Sequence, residues 1–214
     1  MELLVIEKWL SLGLLRIFMD RMRALSPSKK ANESKEKLYF IAIVPPTPIY
    51  DEALEHKAYF KKHYNSKASL NSPPHITLHM PFRWKEKDED ELVSKLDKFS
   101  KGNHPISIKL DNFSSFPPRV IFINVVMSLE LEALQKNLQR YCKRVLNLFN
   151  SNYKELPFHP HLTVAFRDLK KPNYQRAWEE FKMKNFQAEF VADKLALLKH
   201  TGKVWEVHQE FKFE

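Results

Sequence analysis

Two pentapeptides decide the reading of this chain: Pro74-His75-Ile76-Thr77-Leu78 and Pro160-His161-Leu162-Thr163-Val164. Each spells proline, histidine, an aliphatic residue, threonine and a second aliphatic residue. The chain holds nine histidines but only four threonines, Thr47, Thr77, Thr163 and Thr201. Chance placement would give ~0.2 His-x-Thr triplets, so two in matching contexts stand well above the background of a short motif. Successive side chains of a strand point to opposite faces. His75 and Thr77 therefore share one face, Ile76 and Leu78 the other, and the second copy repeats the pattern.

Working outward, the flanks repeat more coarsely. Residues 37–44 form a β-branched and aromatic run stopped by Pro45-Pro46, a buried-strand signal. Helical spacing follows at 51–64, a strand at 75–81, an amphipathic helix at 88–100 and an alternating, half-buried strand at 105–113. The second half offers a strand at 119–127, the longest helix at 129–149, a strand at 161–166 and a helix at 173–183. Residues 186–199 and 204–213 read as two closing strands around Thr201-Gly202. The order predicts an α+β chain with two like halves. If those halves pack as a pseudo-symmetric pair, the two motif strands face each other across a cleft, with a histidine and a threonine on each wall.

That constellation suits displacement at phosphorus. Two imidazoles with pKa near neutrality can divide proton transfer, one as general base on an attacking water or hydroxyl, the other as general acid on the leaving oxygen. Threonine hydroxyls between them would donate hydrogen bonds to the non-bridging oxygens as charge builds. The sequence has three glycines, Gly13, Gly102 and Gly202, too few for a Walker loop, a dinucleotide loop or a nucleophile elbow. A phosphate here must be handled by side chains. The 35 Lys+Arg against 26 Asp+Glu leave a formal net charge of +9, which favours polyanionic partners such as RNA or nucleotides.

The paired motifs resemble the 2H phosphoesterase superfamily, which includes the bacterial 2'-5' RNA ligase (LigT-like) proteins and cyclic phosphodiesterases. The resemblance spans residues 37–213 and is most specific at His75-Ile76-Thr77-Leu78 and His161-Leu162-Thr163-Val164. It implies a bilobal fold, two pseudo-symmetric lobes whose antiparallel sheets line a central cleft with helices outside. It also implies chemistry on 2',3'-cyclic phosphates or 2'-5' linkages that needs neither metal nor other cofactor, with His75, Thr77, His161 and Thr163 as the catalytic set.

Other residues are candidates of lower rank. His79 shares the predicted face of His75 and could reach substrate; Arg167 lies beyond Thr163 and could meet a phosphate or pair with Asp168. Phe82, Trp84 and Phe116 could stack on a base or pack internally. A zinc site drawn from His75, His79, His159 and His161 would consume both motif histidines and leave the threonines without a purpose, so no metal is expected.

The 214 residues, 43% hydrophobic, suffice for a sizeable core. Residues 1–25 have apolar positions at helical spacing, yet charges interrupt them too often for a span of ~20 apolar residues. We divide the chain into an amphipathic helix and polar linker (1–36) and a phosphoesterase domain (37–214). The single cysteine, Cys142, excludes a disulfide framework and fits a reducing compartment. The expectation is a cytoplasmic, monomeric phosphoesterase acting on RNA with a 2',3'-cyclic phosphate or 2'-5' linkage, or on a cyclic nucleotide. The rivals are a non-catalytic RNA- or nucleotide-binding module and, less favoured, a membrane contact through residues 1–25.

Overall fold

The computed structural model describes residues 35–149 and 156–214. The predicted helix of residues 1–25, and the linker as far as residue 34, lie outside them. Eight strands and four α-helices follow in order: β1 (Glu36–Ile43), α1 (Ile49–Tyr64), β2 (Ile76–Lys85), α2 (Glu89–Ser100), β3 (Ile106–Phe116), β4 (Val120–Val125), α3 (Leu129–Val145), β5 (His161–Ala165), α4 (Lys171–Phe181), β6 (Gln187–Ala192), β7 (Lys194–His200) and β8 (Trp205–Lys212). All strands join one antiparallel sheet in the order β6-β3-β4-β5-β2-β1-β7-β8.

The two motif strands occupy the centre of that sheet. Each is the inner edge of a four-stranded half, β2-β1-β7-β8 or β5-β4-β3-β6. The halves do not divide where chain order suggests, because β3 joins the second half and β7 and β8 return to complete the first. The predicted strand at 186–199 is in fact two strands, β6 and β7, separated by Asp193 alone. In a flat sheet β6 and β7 would stand roughly 29 Å apart, six spacings of ~4.8 Å. One linking residue covers at most ~7 Å. The sheet must therefore curl until its ends approach, and the Phe213 amide bonded to the Asp193 carbonyl (2.8 Å) and the Glu214 amide to that of Asn103 (2.9 Å) close the seam.

Curling gives the sheet an inner and an outer chemistry. On the helix side, Tyr39, Ile41 and Ile43 of β1, Ile76 and Leu78 of β2 and Leu162 and Val164 of β5 pack with Ala53 and Phe60 of α1 and Leu131 and Leu138 of α3. On the opposite face Phe40 and Ala42 form a smaller cluster with Ala196 and Leu198, capped by Trp205. Both faces of β1 are covered, which is why residues 38–43 read as a continuous apolar run rather than an alternating one. The inward positions of α1 are Ala53, Lys57, Phe60 and Tyr64; Leu131, Gln135, Leu138 and Cys142 repeat that four-three-four spacing in α3. Ser128 caps α3 by accepting from the Leu131 amide (3.1 Å). The helix ends at Val145, four residues before the predicted end, and Asn147 (φ 55°) turns left-handed there. The Cys142 thiol is fully buried, and burial pushes its pKa up to about 12, the state of a structural thiol.

Candidate active site

β2 and β5 pair at one position, Ile76 with Leu162. Each strand begins at its motif and runs away from the other, so only their first residues overlap. Continuing the antiparallel register one step each way sets His75 across from Thr163 and Thr77 across from His161. The inward side chains of the pair, Ile76 and Leu162, are fully buried. The four polar side chains thus lie together on the opposite, half-buried face. The predicted grouping is present, but as neighbours astride a pseudo-two-fold axis rather than on facing walls.

The two imidazoles are held alike. His75 Nδ1 donates to the Pro73 carbonyl at 2.7 Å and His161 Nδ1 to the His159 carbonyl at 2.8 Å. Each acceptor lies two residues upstream, with Pro74 or Pro160 between, and the fixed φ of proline sets the carbonyl toward the ring. Proline before the motif histidine is therefore part of the device. With Nδ1 carrying the hydrogen, Nε2 is left as the acceptor in the neutral ring. Among the described residues no protein group bonds either Nε2, nor the hydroxyl of Thr77 or Thr163. Among the described residues these four polar atoms are left without a protein partner at one point of the sheet.

Aromatic rings wall the pair. Phe40 packs on His75 with ring centroids 4.7 Å apart, and Trp205 meets Phe40 edge-on at 4.7 Å. On the other side Phe122 lies 5.0 Å from His161 and Phe116 5.3 Å. Phe40 and Phe122 come from β1 and β4, the outer neighbours of β2 and β5, and so obey the same pseudo-symmetry. A pocket of about 290 Å³ opens beside this wall, lined in part by Tyr50, Pro73 and Trp205.

This packing lowers both imidazole pKa values. Desolvation is the main cause for His75, taking it down to about 3, with the charges of Lys57 and His161 acting the same way against the Pro73 bond. Desolvation likewise takes His161 down to about 4, with its bond to the His159 carbonyl opposing and the His159 imidazole adding to the fall. At neutral pH both imidazoles are therefore neutral in the free protein. An anionic phosphate between them would favour a proton on the pair.

The lower-ranked candidates divide. A bulge in β2 moves the register by one after Thr77, so His79 pairs with Ile41 instead of following Thr77 on the open face. His79 is 1% exposed, its ring against Phe82 in the helix-side core. The face shared with His75, predicted by simple alternation, is thereby lost, and with it the four-imidazole set; among the described residues no cluster of His, Cys, Asp or Glu could hold a metal ion. Phe82 stacks on Tyr39 within the core, and Trp84 donates to the Asp88 carbonyl at 2.7 Å. Phe116 does reach the cleft. Arg167 lies past the end of β5 in a left-handed conformation (φ 62°), over the Phe166 ring. Its proposed partner is engaged elsewhere: Asp168 accepts from Ser66 Oγ (2.7 Å) and the amides of Lys67 (2.8 Å) and Ala68 (3.0 Å), tying the loop after α1 to β5. Sequence reading missed Phe40, Phe122 and Lys57. Strand parity next to the motifs could have found the first two, and a lysine at a core position of α1 the third.

A curled antiparallel sheet with helices on one face and paired His-x-Thr strands at its centre defines a LigT-like α+β fold. Solved structures bear this out: E. coli LigT complexed with 3'-AMP has a TM-score of 0.61 at 17% identity, covering 84% of this chain and 99% of that one. TT0787 of Thermus thermophilus has a TM-score of 0.60 at 18% identity, covering 83% and 97%. The model of the 2'-5' RNA ligase superfamily matches residues 45–204, and the chain belongs to that family. A protein of Geobacillus kaustophilus named as a candidate phosphoesterase is 32% identical over 176 residues, covering 81% of this chain and 94% of its own. A Bacillus licheniformis protein with the same description is 29% identical over 174 residues, covering 81% and 96%. Among the described residues no helix is long and apolar enough to cross a membrane.

Proposed function

We propose that the chain is a phosphoesterase that opens a 2',3'-cyclic phosphate or cleaves a 2'-5' linkage, on RNA ends or small nucleotides, with His75, Thr77, His161 and Thr163 as its catalytic residues and no metal. The observation that carries the reading is the matched anchoring of the two imidazoles, each tied through Nδ1 and open at Nε2, on strands that meet at Ile76–Leu162. One neutral Nε2 takes the proton of a water as its oxygen bonds to phosphorus. The other, protonated, gives its proton to the ester oxygen as the P–O bond breaks. Thr77 and Thr163 hydroxyls donate to the non-bridging oxygens, whose charge grows in the transition state. Run in the same direction with a nucleotide hydroxyl in place of water, the same steps open the ring onto that hydroxyl and join the cyclic phosphate to a second chain without ATP, since the strained phosphodiester is already activated.

The net charge of +9 supports a polyanionic substrate by steering. E. coli LigT has been solved with 3'-AMP, with ATP and with phosphate, ligands of the class this cleft would take. We place the base of the substrate against Trp205 in the pocket that Tyr50 and Pro73 also line, next to the turn leading into His75. The deciding experiment is an EDTA-treated assay on 2',3'-cyclic nucleotides and 2'-5' dinucleotides, with the position of the remaining phosphate identified. Turnover abolished by His75→Ala and by His161→Ala supports the proposal. Binding without turnover in EDTA rejects it in favour of a binding module, and full activity of either variant rejects the catalytic roles of the two histidines.

A further inference from the structure

Lys57 is a charged side chain buried in the core on the inner face of α1, 1% exposed. Among the described residues it has no carboxylate partner; its Nζ donates to the Ser72 carbonyl at 2.9 Å. A buried charge without a counter-ion is costly and is not explained by packing. Ser72 begins the segment Ser72-Pro73-Pro74-His75, in which the Pro73 carbonyl receives the Nδ1 hydrogen of His75. The ammonium thus fixes the start of the turn that orients this imidazole. In α3 the matching position of the four-three-four spacing is Gln135, equally buried but neutral, its amide near the Leu78 carbonyl at 3.5 Å. The pseudo-symmetry that makes the histidines alike is broken at this pair of positions.

We propose that Lys57 is the positioning residue that separates the roles of the two imidazoles, keeping His75 unprotonated as the base and directing the shared proton to His161 as the acid. This rests on the phosphoesterase reading for the roles, though not for the ordering of the two rings. The groups whose charge acts on His75 are Lys57 from α1 and His161 from β5; on His161 it is His159. A cation anchored at Ser72, whose field reaches the His75 ring, raises the cost of a second positive charge there and leaves the other ring favoured. Burial lowers Lys57 itself to about 7, so a phosphate anion entering the cleft would tend to restore its charge when the bias matters.

The test is an NMR titration of labelled histidine in the full-length, ligand-free protein, with His75 and His161 assigned through single His→Gln variants. In the wild type His75 should titrate below His161. In Lys57→Met its pKa should rise by about one unit, while that of His161 moves by a few tenths at most. His75 titrating at or above His161 in the wild type overturns the proposal even if the variant fails to fold. So do equal shifts of both rings, or none, in the variant. In turnover assays Lys57→Met should move the acid limb of kcat to higher pH and leave the basic limb in place; movement of the basic limb instead reverses the roles and overturns the assignment. A chain without turnover would reject the phosphoesterase reading, and the titration would still decide the ordering.

Discussion

Ile76 and Leu162 are antiparallel partners at the one position where β2 and β5 pair, and both are fully buried. This contact joins the two halves of the sheet directly between the motif histidines. Leu162→Ala should cost about 2–5 kcal/mol, as expected for truncating a core leucine whose site cannot collapse. Because the cavity opens beneath His161, kcat should also fall at temperatures where the variant is folded. Denaturant unfolding beside kinetics at a fixed folded fraction checks this, and a destabilised variant with unchanged kcat would show that the pair carries stability alone.

The motif side chains themselves bear little of the fold. His75, Thr77, His161 and Thr163 sit on the open face, and the atoms proposed for chemistry have no protein partners among the described residues. Replacing either histidine by alanine should reduce turnover by about 10²–10⁴-fold. Thr77→Val and Thr163→Val should each reduce it by about 10²-fold, the effect of losing one donor to a developing anion. Melting temperatures should stay within about 2 °C of the wild type, measured by calorimetry on the same samples.

Much of this was legible beforehand because strand parity and proline placement are local properties. The repeat of Pro-His-aliphatic-Thr-aliphatic placed four side chains on one face, and the flanking periodicities located the helices closely. What local pattern could not supply was long-range pairing. Residues 186–199 are apolar at nearly every second position, so nothing marked Asp193 as the point where the chain leaves one edge of the sheet for the other half. His79 failed for a related reason: alternation assumes an unbroken ladder, and the bulge near Leu78 leaves no clear mark in composition. Lys57 belongs to a charged helix, and only the sheet packed against Ala53, Phe60 and Tyr64 marks its position as an inward one.

The lowered imidazoles set the pH dependence. The reactive form carries one proton on the pair, whereas the free protein carries none at neutral pH, since His161 is held down to about 4 and His75 to about 3. For kcat/KM, which reports the free protein, protonated His161 becomes scarcer as pH rises above its pKa, so activity should be at least about tenfold higher at pH 5 than at pH 7. Bound phosphate raises the pKa of the pair, so the basic limb of kcat should lie at higher pH than that of kcat/KM. Matched profiles on a 2',3'-cyclic nucleotide test both points; a kcat/KM maximum at pH 7 or above would contradict the neutral, desolvated pair.

Trp205 is half-buried, packed edge-on against Phe40 and lining the pocket beside Pro73. If that pocket holds the base, Trp205→Ala should raise KM by about 5- to 100-fold, the range of one lost stacking contact, with a much smaller change in kcat. An uncharged probe separates binding from steering: the free nucleoside should lose affinity by the same factor in equilibrium binding. A change in kcat with KM unaltered would instead mean that Trp205 acts by bracing Phe40 against His75.

Lys57 also leaves a thermodynamic trace that needs no substrate. Its pKa falls from the ordinary lysine value to about 7 in the folded chain because burial disfavours the charged form, while the unfolded chain keeps ~10.4. Below pH 7 both states are protonated and the fold bears the full cost of the buried charge. Between pH 7 and about 10.4 the unfolded state binds the extra proton, so the stability of the wild type should rise with pH across that window as the penalty is relieved. Lys57→Met removes both the charge and the titration. The variant should therefore be more stable than the wild type by on the order of a few kcal/mol at pH 6, with the difference shrinking steadily toward pH 10. Urea unfolding of both proteins across that range gives the comparison directly. A difference independent of pH would mean that Lys57 keeps an ordinary pKa in the folded chain, and a loss of stability at pH 6 would mean that its bond to the Ser72 carbonyl outweighs the cost of burying its charge.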